Sequence, residues 1–170
     1  INYALVKNLE FYADIENYNE WLDSLDQEII DAMSTKLGSG EAVTSPPQLY
    51  KIYRSNKLKS DYERNNGISY DSCIRSRPDL IFLSTPKMEN LESINHINFG
   101  ITGAYWPNRI FDIFFYSSNK NMDLVSNSWE SILDDIKSDF DNGNDPRDAC
   151  RLIYINAIKN NIPVNDMKER

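Results

Sequence analysis

The chain holds one histidine and two cysteines, too few for a zinc site built on those ligands. Cys73 stands in a strand-like stretch and Cys150 in a helix-like one, each among apolar neighbours, and both read as buried free thiols. No apolar run approaches the roughly 20 residues that cross a bilayer, which excludes a transmembrane helix. Residues 1–13 contain no basic region followed by an apolar segment, so no signal peptide is visible and a cytoplasmic location is expected. The missing initiator methionine agrees with a start inside a longer chain. Excess positive charge is also lacking: the formal net charge is −8, which argues against a nonspecific grip on nucleic acid.

What is present is the composition of a globular protein, 41% apolar and 12% aromatic. At 170 residues a single domain over 1–170 is expected, able to bury about two-thirds of its unfolded surface. Charge is unevenly spread. Residues 1–50 carry two basic side chains against nine acidic ones, and 51–77 carry seven basic (Lys51, Arg54, Lys57, Lys59, Arg64, Arg75, Arg77) against three acidic. Acidic residues again exceed basic ones after 77. The one cationic segment reads either as a solvated helix face or as an attractor for a small anionic ligand.

Apolar spacing of three and four from Ile15 to Leu37 predicts an amphipathic helix between Asp14 as N-cap and Gly38 as stop. Ser45, Pro46 and Gln48 then form a helix-start signature, and the helix, carrying Leu49, Ile52, Tyr53 and Tyr62, is expected to end at Gly67. A β-like stretch runs from Ile68 to Ile74. Residues 86–107 are the least regular and mix short strands with loops. There His96 reads as a loop residue, and Trp106 suits either core packing or the apolar face of a sugar. The stretch 109–118 (RIFDIFFYSS) predicts a second strand, and a helix with Val125, Trp129, Ile132, Leu133, Ile136 and Phe140 on one face follows. A break at 141–146, a last helix from Asp145 and Pro146 to about Asn160, and a short strand at 162–164 complete the series. Helices alternating with buried strands predict an α/β layered domain with a mostly parallel sheet, in which ligands gather at the carboxyl ends of strands.

One stretch is hard to reconcile with a buried strand: 70–82, YDSCIRSRPDLIF, which holds Arg75, Arg77 and Asp79. Pro78 cannot donate to a ladder, so regular pairing should stop there and leave the charges at the strand's end. Strand alternation puts Arg75 and Arg77 on one side. They then either pair with carboxylates of the protein itself or present forked donors to a phosphate or carboxylate. Asp79 reads as a turn residue or as a ligand for a hard divalent cation.

The segment 58–82 resembles a group of bacterial and viral glycosyltransferase-like proteins. Their pattern is matched by Leu58, Lys59, Tyr62, Glu63, Tyr70, Asp71, Arg75, Arg77 and Asp79. A second, looser signature is matched by Asp112, Phe114, Ser117 and Met122, and the likeness covers about residues 45–165. It implies a GT-A-like (Rossmann-like) sandwich lacking a recognisable first strand. The implied activity is transfer of a sugar from a nucleotide-diphosphate sugar to a glycan or lipid-linked acceptor. The same resemblance makes Asp79 the metal- and diphosphate-binding carboxylate, with Mn²⁺ or Mg²⁺ as cofactor. Arg75 and Arg77 become donor-side contacts, and Asp112 the catalytic carboxylate near the acceptor hydroxyl. The chain departs from the pattern in having a single acid at the metal motif. Phe111 and Ile113 also stand where Asn and Gln are expected. A non-catalytic domain of the same type, binding a sugar or a protein, is the alternative.

Overall fold

The computed structural model describes residue 27 and residues 45–77, 94–100, 108–111, 113–144 and 148–167. The helix expected over 15–37, apart from Gln27, lies outside them, as do Trp106, Asp79 and Asp112.

Helix α1 spans Ser45–Asn66. Its inward face starts apolar, with Leu49 and Ile52 buried at 1% and 2% exposure. The same stripe, continued at i+3 and i+4 spacing, then turns polar at Asn56, Lys59, Ser60 and Glu63. Glu63 is buried and Tyr62 is 45% exposed. Gly67 ends the helix with φ +61°, and the Ile68 N–H donates to the Glu63 carbonyl at 3.1 Å, a left-handed glycine stop.

Strands β1 (Ser72–Ser76), β2 (Ile97–Gly100), β3 (Phe114–Ser118) and β4 (Val164–Met167) form one sheet in the order β1-β3-β2-β4. β3 is antiparallel to both β1 and β2, and β4 is parallel to β2. The sheet is therefore mixed, which corrects the expectation of a mostly parallel one. A parallel pair needs a crossover. The helical run that follows β3 supplies one to β4 alone, while β3 inserts between β1 and β2 and runs against both.

That run consists of α2 (Asn119–Ser126), a 3₁₀ stretch (Asn127–Ser131), α3 (Ile132–Asp141) and α4 (Ala149–Lys159). Its apolar faces pack with α1 on Phe99 and Phe115, forming a core that includes Met122, Val125, Ile136, Leu152 and Ile153. Each such side chain contributes roughly 1.5–3 kcal/mol by leaving water. Trp129 packs on Tyr50 with ring centroids 4.9 Å apart. Two buried acids tie the helices: Asp139 accepts from Arg151 Nε at 2.8 and 2.9 Å and from the Asn144 amide at 3.0 Å, and Asp135 pairs with Lys159. Both cysteines are half-buried free thiols.

Several boundaries differ from the sequence reading. The second strand starts at Phe114 rather than 109. Ile110 is fully buried, but its N–H donates to the Cys150 carbonyl, so its apolarity reflects core packing rather than ladder pairing. Asp148, rather than Asp145, caps α4 by accepting from the Arg151 N–H. Ile162 belongs to the α4 stop, where its N–H donates to the Ala157 carbonyl at 2.9 Å, and β4 begins two residues later. No described helix is long and apolar enough to cross a membrane.

Candidate functional site

Arg75 lies inside β1, in register with Phe115, with its guanidinium carbon 6.0 Å from that ring's centroid. Arg77 is exposed just past the strand, and its N–H donates to the Ile113 carbonyl at 3.0 Å. Regular pairing thus reaches the residue before Pro78. The antiparallel register has a consequence for the two motifs: the end of the first (Arg77) is hydrogen-bonded to the middle of the second (Ile113). Asp79 and Asp112, which follow and precede these residues in sequence, are outside the described residues. Phe111, at a position where the resemblance expects Asn, stacks on Phe99 at 6.4 Å and packs against the core.

A dense polar cluster occupies the opposite end of β1, where α1, the 69–71 link and the start of α2 meet. Asn119 is its hub. The amide of Asn119 donates to Glu63 Oε1 at 2.8 Å, and its oxygen accepts from the Cys73 thiol at 3.2 Å and from Lys59. The backbone N–H of Asn119 donates to the Asp71 carbonyl at 3.2 Å. Glu63 also accepts from the Tyr70 N–H at 2.7 Å and faces Lys59 Nζ at 3.5 Å. Lys59 donates to Asp123 Oδ1 at 2.6 Å, and the same oxygen accepts from Asn56 at 2.9 Å and Ser60 at 3.4 Å.

The arrangement sets the charge states. Burial works against the Lys59 ammonium. The hydrogen bond to Asp123, with the negative ends of Cys73, Asp123 and Glu63, outweighs that effect and raises its pKa above the ordinary lysine value. Burial pushes the Cys73 thiol up, against the pull of Lys59, so it is a poor thiolate. Cys73 here donates a hydrogen bond to the Asn119 oxygen.

Outside this network opens a cleft of about 480 Å³. It is lined by Ser69, Tyr70 and Asp71, by Ser118 at the end of β3, by Asn119, Lys120, Asp123 and Leu124 of α2, and by Asn127. Ser118 caps α2 by accepting from the Asn121 N–H. Among the described residues no group of three or more His, Cys, Asp or Glu side chains is gathered as cation ligands.

Sequence reasoning singled out Lys59, Glu63, Tyr70 and Asp71 as parts of a motif without assigning them a role, and it missed Asn119 and Asp123. The available signal was the inward stripe of α1, whose apolar period gives way to Asn, Lys, Ser and Glu. Comparison with protein-family models, with curated proteins and with solved structures finds no match to this chain.

Proposed function

We propose that the chain is a GT-A-like glycosyltransferase that moves a sugar from a nucleotide-diphosphate donor to a glycan or lipid-linked acceptor. The observation that carries this reading is the Arg77 N–H to Ile113 carbonyl bond, which joins two motifs far apart in sequence at one end of the sheet. On this reading the forked donors of Arg75 and Arg77 hold the donor diphosphate, for which guanidinium geometry is suited. Asp112 orients or deprotonates the acceptor hydroxyl. Asp79, a hard oxygen donor, would hold Mn²⁺ or Mg²⁺, which neutralises charge on a departing diphosphate.

A thermal-shift screen of nucleotide sugars with and without Mn²⁺ tests the proposal. A donor at about 100 times its dissociation constant stabilises by roughly 2.7 kcal/mol. The expected outcome is a metal-dependent shift that Asp79→Ala abolishes; no shift with any nucleotide sugar refutes it. One observation favours the non-catalytic alternative: Phe111 spends its motif position on core packing rather than on a polar contact. Binding of a nucleotide sugar without its hydrolysis or transfer separates the two readings.

A further inference from the structure

The cleft at the Asp71 end of β1 takes no part in that reading, and its chemistry differs from that of a phosphate site. We propose that it is a separate subsite for a neutral pyranose, bound by Asp71 and Asp123 with the Tyr70 ring as one wall. Its volume, about 480 Å³, falls within the roughly 300–1,000 Å³ of small-molecule clefts. The polar groups are built for the task. Asp123 Oδ1 is fixed by three donors, Asn56, Lys59 and Ser60. Its Oδ2 has no partner among the described residues, and the side chain is 37% exposed. The Asp71 carboxylate is likewise without a partner among them, while its carbonyl is pinned by the Asn119 N–H. Two carboxylates accept from sugar hydroxyls through charge-assisted bonds, and the Asn127 amide adds both donor and acceptor capacity. Tyr70, 41% exposed although its N–H is anchored on Glu63, offers an aromatic wall to the apolar side of a sugar ring. Lys120 also lines the cleft and Lys59 is paired with Asp123, so the two carboxylates and two ammonium groups balance and leave no excess of positive charge for a diphosphate, which favours a neutral ligand.

The test uses the full chain, isotopically labelled, titrated with methyl glycosides of glucose, galactose, mannose and N-acetylglucosamine and followed by backbone amide shifts. At least one glycoside is expected to bind in the millimolar range and to shift residues 69–71 and 118–127. Asp71→Ala, which removes a side chain with no partner among the described residues and so keeps the fold, is expected to weaken binding about tenfold or more. Tyr70→Ala should weaken it as well. Excess uridine or guanosine diphosphate should leave the glycoside shifts in place. Absence of binding by all four glycosides, binding indifferent to both substitutions, or displacement by the diphosphates would each overturn the proposal. Shifts at 69–71 produced by Ca²⁺ alone, with no glycoside effect, would make the carboxylates a cation site and overturn it too. The subsite stands or falls independently of the donor screen, which reads a metal-dependent response through Asp79.

Discussion

Lys59 is where the polar cluster is most open to a quantitative test. Its side chain is only 16% exposed and lies between Glu63 at 11% and Asp123 at 37%. Lys59→Met keeps the stem and removes the charge. Stripping one partner from a wholly buried ion pair costs about 3–5 kcal/mol. Two features reduce that here. Glu63 retains the Tyr70 and Asn119 donors, and Asp123 retains Asn56 and Ser60 and can recruit water through its exposed oxygen. The loss of the ammonium's contacts with Asp123, Glu63 and the Asn119 oxygen, discounted for that screening, comes to about 2–3 kcal/mol. In a domain of this size it lowers Tm by about 4–12 °C. Urea denaturation followed by tryptophan fluorescence and far-UV circular dichroism measures it. A loss within about 0.5 kcal/mol, the range of ordinary surface substitutions, would refute the reasoning and make the cluster a solvated surface network.

The direction of the Lys59 pKa adds a second signature. The folded state holds this proton more tightly than the unfolded chain, so the stabilisation is fully present below the ordinary lysine value. It is lost as pH rises through the higher folded-state pKa. The stability gap between the wild type and Lys59→Met should therefore be constant near neutrality and narrow in the alkaline range. A gap that widens with pH would give the cluster the opposite sign of coupling.

Two further outcomes are expected. Gly67→Ala meets no atom within 4 Å of the added methyl, so its cost arises from the +61° backbone angle alone. It should amount to about 1 kcal/mol after allowing for the stiffer unfolded chain, read as a shift in the urea midpoint at unchanged slope; a neutral result would remove the glycine stop. Cys73, its pKa raised by burial, should react with iodoacetamide at neutral pH more slowly than a free cysteine and reach the free rate in denaturant. Peptide mass spectrometry reads this, and equal rates in both states would place the thiol outside the cluster.

The sequence made the punctuation of this fold legible because punctuation is local. Gly67 and Gly143 both adopt positive φ at helix ends, and the apolar face from Val125 to Phe140 packs on the core as its spacing predicts. That spacing also runs unbroken through Asn127–Ser131, with no glycine or proline to mark the tightening to 3₁₀. Strand direction was not legible, since pairing of β3 with both β1 and β2 depends on contacts distant in sequence. The shortened β3 has a similar cause: a core residue such as Ile110 is as apolar as a strand residue. The cluster was half legible. Lys59 and Glu63 stood out as motif positions in a cationic segment, but their partners Asn119 and Asp123 come from a helix start that, by itself, resembles a solvated turn.

On the two proposals taken together, the stretch from Tyr70 to Arg77 has a role at each end of one short strand. Ser72–Ser76 is five residues long, and from Asp71 to Arg77 the chain advances roughly 20 Å at about 3.3 Å per residue. That span is longer than a single sugar ring. A monosaccharide held by Asp71 and Asp123 therefore cannot touch groups at the Arg77 end. Any one molecule that engages both ends must be an extended chain. If both proposals hold, the acceptor is a growing glycan whose reacting end meets Asp112 while an earlier sugar rests against Tyr70. Shortening the acceptor to one unit should then cost binding without altering the donor's metal-dependent response.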